Sequence, residues 1–229
     1  MTTKISAAIV LAGIIPALAL GTLSCEKLDV VGSGSRASFE KVLNQIPELV
    51  ESDRQNGGWS LRAPDGSARF IWSEDYSRSP RYDVSIEFDA APFVAAGLDP
   101  AKLPENFTLS GGKLSVGTKL GTETPSYKGE ASPLAAFKQI VRLRRDVIGY
   151  HAALDHYGVN LGGGSLFEWA KDSSANDKDI VFVLDPAPIA AAGADVSRVD
   201  GWLFAKVTVD DENGKPVQVD KLLKPFDLS

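Results

Sequence analysis

The segment Arg81–Asp99 is echoed 96 residues later by Asp177–Asp195. Val84-Ser85-Ile86-Glu87-Phe88-Asp89-Ala90-Ala91-Pro92-Phe93-Val94-Ala95-Ala96-Gly97 aligns with Ile180-Val181-Phe182-Val183-Leu184-Asp185-Pro186-Ala187-Pro188-Ile189-Ala190-Ala191-Ala192-Gly193. Upstream, Phe70, Trp72 and Asp75 match Phe167, Trp169 and Asp172 after a one-residue shift. Two blocks in the same order mark an internal duplication, and a duplicated chain must fold twice by the same rules.

The repeated unit can be read physically. Val84, Ile86 and Phe88 alternate with Asp83, Ser85, Glu87 and Asp89, as in a half-buried strand. In the echo, Val181 and Val183 separate Ile180, Phe182 and Leu184, so this strand is expected to be covered on both faces. Asp89 and Asp185 then stand where a carboxylate caps a helix. Pro92 and Pro188 fall in the first turn, and Gly97 and Gly193 close it. Hairpins follow, Asn106–Leu109 with Lys113–Val116 about Ser110-Gly111-Gly112, and Leu203–Val209 with Pro216–Val219 about Asn213-Gly214. A helix leads each copy. Phe39, Val42, Leu43 and Ile46 lie at helical spacing behind Ser38, and the counterpart runs from Ser132-Pro133 to about Tyr157.

The expected unit is therefore helix–strand–strand–short helix–hairpin. It occurs as copy one over residues 37–131 and copy two over 132–229. This predicts an α+β fold, with antiparallel sheet or sheets carrying helices on one face. Whether the copies share one sheet or form two lobes stays open at this point.

The N-terminus carries a different signal. Lys4 precedes an apolar run from Ile5 to Leu20, and Gly21-Thr22-Leu23-Ser24-Cys25 follows. A membrane-spanning helix needs about 20 apolar residues. This run is at the edge of that length, is interrupted by Gly13 and Pro16, and is followed at once by Gly21. The residues before Cys25 resemble the bacterial lipobox, with Ser24 in the small-residue position and Thr22 where leucine is preferred. The resemblance implies that residues 1–24 are a signal peptide. It further implies that Cys25 becomes the mature N-terminus and carries palmitate-like acyl chains. The chain would then be lipid-anchored at a cell membrane or outer membrane, facing the periplasm or the cell exterior. Residues 25–36 are rich in Gly and Ser and read as a flexible tether.

Composition narrows the function classes. Cys25 is the single cysteine, so no intrachain disulfide forms. The formal charge is −6, and the leader removes only Lys4, so an acidic body remains. Such a body is repelled by nucleic acid and by anionic lipid. The expected partners are the bilayer, through acylated Cys25, and an envelope protein; no cofactor is expected.

Each chemical motif has a plain structural reading beside it. Asp89 and Asp185 resemble an acid–base pair, yet both have capping roles. His151, Asp155 and His156 are metal-ligand types, and on a helix His151 and Asp155 would face one way; the alternative is an exposed helix end. Trp59, Tyr76, Arg78 and Tyr82 cluster in copy one, as interface anchors or as core. Lys138, Arg142, Arg144 and Arg145 make the second long helix basic, which is ordinarily a solvated face. Ser110-Gly111-Gly112-Lys113 and Gly162-Gly163-Gly164-Ser165 are explained by turns. Three classes follow: a non-catalytic binding or structural lipoprotein, a carrier with an apolar groove between the copies, and a hydrolase or metal-dependent enzyme.

Overall fold

The computed structural model describes residues 14–16, 25–53, 57–77, 82–121, 131–151, 154–172, 178–210 and 215–228. Arg78 and the Asn213-Gly214 turn lie outside them. The described residues form an α+β fold, with two similar antiparallel sheets and four helices.

In the first half, helix α1 (Cys25–Gln45) leads into a short 3-10 turn and strands β2 (Val50–Asp53), β3 (Gly58–Arg62), β4 (Ala68–Ser73) and β5 (Val84–Asp89). Helix α2 (Ala91–Ala95) and the hairpin β6 (Phe107–Ser110) and β7 (Lys113–Thr118) complete it. The second half repeats this order. It comprises α3 (Pro133–Leu143), β8 (Ile148–His151), β9 (His156–Gly162), β10 (Ser165–Ala170), β11 (Ile180–Leu184), α4 (Ala187–Ala191), β12 (Leu203–Asp210) and β13 (Pro216–Phe226). The sheet orders are β2-β3-β4-β5-β7-β6 and β8-β9-β10-β11-β13-β12. A short β1 (Ile14–Pro16) adds to the second sheet, parallel to β12.

Each half thus holds four strands before its short helix, where two were expected. The added pair in the first half is β2 and β3. In the second half it is β8 and β9, which replace the C-terminal part of the expected long helix. Ser132 caps α3 by accepting from the Ala135 N–H. The helix stops after Leu143, where Arg144 leaves helical geometry at φ −136° and ψ 58°. Ile140, Val141, Leu143, Val147 and Ile148 keep a helical spacing past that point. They are divided among α3, a 3-10 turn (Arg145–Val147) and β8 because Gly149 and the left-handed Asp155 (φ +52°) favour a hairpin.

The expected tether is also corrected. Residues 25–36 belong to α1, and Ser35 is fully buried. Gly34 is a packing residue, since a Cβ there would land on the Tyr157 hydroxyl. Glycine at this position lets α1 approach the second sheet closely.

The halves exchange their helices. Helix α1 lies against β8 and β10 of the second sheet, and α3 against β3 and β4 of the first. Ser38 Oγ donates to the Ala170 carbonyl at 2.8 Å, and Lys41 pairs with Asp172 at 3.0 Å. Reciprocally, Trp72 Nε1 donates to the Pro133 carbonyl at 3.0 Å. Trp59 Nε1 donates to the Ala131 carbonyl at 2.8 Å. Aromatic rings fill the seam. Phe70 and Phe167 stack at 4.1 Å and 4°, and Phe39 meets Phe137 at 4.0 Å. Phe39 meets Trp72 edge-on at 5.5 Å, and Phe137 meets Trp169 in the same way at the same distance. Burial of these rings is the main force joining the halves.

Candidate functional site

What both halves share serves the fold, so chemistry is sought where they differ. Asp83 and Asp179 are shared: each is buried, and each accepts a backbone N–H from the segment after the last strand, of Leu120 and Leu228. Asp89 and Asp185 are shared in position but not in contact. Asp89 pairs with Lys113 at 2.6 Å, and Asp185 accepts from the Ala187 N–H at 3.0 Å. Neither arrangement brings them together as an acid–base pair.

The halves diverge at their first two strands. In the first, Asp53 ends β2 opposite Gly58 of β3, and Ile71 of β4 lies opposite Ser60. Asp53 sits 3.6 Å from Arg69, which also binds Glu87 at 2.8 Å. In the second half the same three places hold His151, His156 and Glu168. His151 ends β8 directly opposite His156 of β9, and Glu168 of β10 lies opposite Gly158. His151 Nδ1 is 2.7 Å from Glu168 Oε1, and His156 Nδ1 is 4.0 Å from Glu168 Oε2. The three side chains are 6%, 3% and 3% exposed.

Local sequence explains this gathering. Strand pairing puts residues i and i+2 on one face, so His156, Gly158 and Glu168 project together, away from the Tyr157 and Trp169 rings. Gly158 clears the way for Glu168: a Cβ there would sit 3.3 Å from the Glu168 Cγ. Gly149, opposite Gly158, adds no side chain either. Lys221 lies nearby on β13, donates to the Gly164 carbonyl at 2.9 Å and feels the charges of Asp185 and Glu168. Burial lowers the Lys221 pKa below the usual lysine range, against the opposing pull of those carboxylates.

Asp155 does not join the histidines. It occupies the exposed β8–β9 turn, accepts from the Tyr150 hydroxyl at 2.5 Å and pairs with Lys171 at 3.4 Å. The Tyr150 bond lowers the Asp155 pKa and raises that of the tyrosine. The expected i, i+4 helical pairing of His151 and Asp155 is thereby corrected to a cross-strand pairing of His151 and His156. Glu168 was missed as a site residue. Its sequence signal is a carboxylate between Phe167 and Trp169, where the first half has Ile71 between Phe70 and Trp72. As the side chains stand, no group of three or more His, Cys, Asp or Glu among the described residues has metal-binding geometry.

The aromatic cluster of the first half disperses. Tyr76 is 1% exposed and belongs to the core. Tyr82 is half-buried, which raises its pKa. Trp59 borders a groove of about 390 Å³ lined also by Glu40, Leu43, Pro47, Pro133 and Leu134. Among the described residues, no helix is long and apolar enough to cross a membrane. Comparison with family models, with curated proteins and with solved structures finds no match.

Proposed function

We propose that this chain is a lipid-anchored bacterial envelope protein whose folded part is a duplicated, non-catalytic binding or structural module. The observation that carries the anchor is the apolar run Ile5–Leu20 closed by Gly21-Thr22-Leu23-Ser24-Cys25. Cys25 is the sole thiol, and each methylene of an acyl chain buried in the bilayer contributes ~0.8 kcal/mol to anchoring. Acylated Cys25 holds the chain at the cell membrane or outer membrane, facing the periplasm or the exterior. With α1 running from Cys25, the folded body stands at the bilayer on a helix, not on a loose tether.

The two halves are copies of one unit. The matching strand orders support this, as do the equivalent contacts made by Phe39 and Phe137 and by Gly97 and Gly193. The ring-filled seam between them supports a binding or structural body over a carrier of apolar cargo, because Phe70 and Phe167 occupy the place such a groove needs. The partner is an envelope protein, and the groove beside Trp59 is the opening on which to seek it.

Metabolic labelling with a clickable fatty acid tests the anchor. The wild-type chain takes up label and fractionates with membranes, and Cys25→Ala does neither. Label retained by Cys25→Ala overturns the reading.

A further inference from the structure

We infer that His151, His156 and Glu168 form a binding site for one divalent transition-metal ion, with zinc the ion best matched to the donors. Two imidazoles and a carboxylate are a common zinc donor set, and three protein ligands leave one position for water. Here they come from three successive strands, β8, β9 and β10, and all are more than nine-tenths buried.

His151 Nδ1 and Glu168 Oε1 lie 2.7 Å apart, yet they make no hydrogen bond as oriented, and neither atom has a hydrogen-bond partner among the described residues. Buried polar atoms are ordinarily satisfied, and a buried carboxylate without compensation is costly. A cation shared between the two atoms removes that cost; a hydrogen bond in the present orientation does not.

Zinc bonds of about 2.0–2.2 Å put tetrahedral ligand pairs about 3.3 Å apart. The observed separations of 2.7 and 4.0 Å fall on either side of that value. The carboxylate therefore reaches metal-binding geometry by moving away from His151 toward His156. Gly158, over which Glu168 lies, and Gly149 opposite it place no side chain beside the carboxylate.

The first half secures its edge strand in another way. There the four-residue edge strand β2 is tied to its sheet by Asp53 and Arg69. At the same place in the second half, β8 has no such arginine, since Leu166 stands where Arg69 does. A metal ion bridging His151, His156 and Glu168 ties β8 to β9 and β10 in its stead. Metal binding then stabilises the fold directly.

The test uses the full chain carrying Cys25→Ser, so that the thiol does not compete. Zinc titration followed by calorimetry is expected to give one ion per chain and a higher Tm. Cobalt(II) in place of zinc is expected to give the intense visible absorption of a four-coordinate site. His156→Ala and Glu168→Gln each weaken binding by more than the roughly 10–100-fold cost of losing an outer-shell partner. Asp155→Ala leaves binding unchanged. A folded chain that gives no cobalt spectrum and retains no zinc overturns the inference, whether or not the variants fold. Equal affinity in a folded His156→Ala variant overturns it too.

Discussion

Gly97 and Gly193 face one another where the two halves meet. A Cβ built on Gly97 lies 3.0 Å from the Gly193 carbonyl oxygen, and one on Gly193 lies 3.1 Å from that of Gly97. Their φ angles are +102° and +104°, a region L side chains rarely adopt. Two backbone bonds flank the contact, from the Asp99 N–H to Ala192 at 2.9 Å and from the Asp195 N–H to Ala96 at 2.7 Å. Each glycine closes its own short helix and admits the other's backbone. Gly97→Ala or Gly193→Ala should cost about 1–3 kcal/mol from backbone strain, read by urea unfolding. Gly111→Asn is the control. Its φ of +57° suits asparagine, nothing lies within 4 Å of a Cβ there, and stability should hold to within about 0.5 kcal/mol.

The helix exchange makes the halves one cooperative unit. Phe70 and Phe167 are fully buried and stacked across the seam. Replacing either with alanine should cost about 3–5 kcal/mol. A double-mutant cycle should return a coupling of about 0.5–1.5 kcal/mol beyond additivity. Heat or urea should give one transition followed equally by tryptophan fluorescence and far-ultraviolet circular dichroism. Two separated transitions would mean that the halves fold alone, against the contacts of α1 with β10 and α3 with β4.

The parts of this fold legible in the sequence are those where one segment reports on itself. The strand alternation of Val84, Ile86 and Phe88, the prolines of α2 and α4, and the glycines after them all predict local geometry, and β5, β11 and both short helices follow. Strands β2, β3, β8 and β9 were hidden because their character depends on what they pair with. Val50-Glu51-Ser52-Asp53 has no strong alternation, and it becomes a strand by joining β3 at the sheet edge. The histidine cluster was half visible. His151 and His156 stood out as residue types, but sequence distance under a helical reading separated them and brought in Asp155. Glu168 needed the sheet register, which no local pattern encodes.

Gly34 separates a packed helix from a loose tether. A Cβ at this position meets the Tyr157 hydroxyl, and that ring is held by Tyr150 at 5.1 Å and Trp169 at 6.1 Å. Gly34→Val should therefore force α1 off the second sheet and cost about 1–3 kcal/mol, the usual range for overpacking. Thermal melts of Gly34→Val against wild type check this. An unchanged Tm would return residues 25–36 to the role of a tether.

Asp65 and Lys224 make stability fall at low pH. Asp65 lies in the β3–β4 turn of the first half and Lys224 on β13 of the second, 2.8 Å apart. Burial pushes the Asp65 carboxyl up, but hydrogen bonds from Lys224 and Ser67 outweigh it and hold the pKa at about 2, below the ordinary 3.8. A carboxylate with a depressed folded pKa favours the folded state above its ordinary pKa, and that contribution is lost as pH falls through the folded value. Asp65 is 57% exposed, so solvent screening limits the contribution to about 1 kcal/mol. Lys224 is only 11% exposed, and its remaining partner is the Gly201 carbonyl at 3.2 Å. Asp65→Asn should thus destabilise the chain at neutral pH by leaving a buried ammonium without its counter-ion. The difference from wild type should shrink as pH drops from 3.8 to 2, where wild-type Asp65 is itself becoming neutral. Urea titrations of both proteins across that interval check the sign. A difference that persists unchanged at pH 2 would show that Asp65 acts through packing and not through its charge.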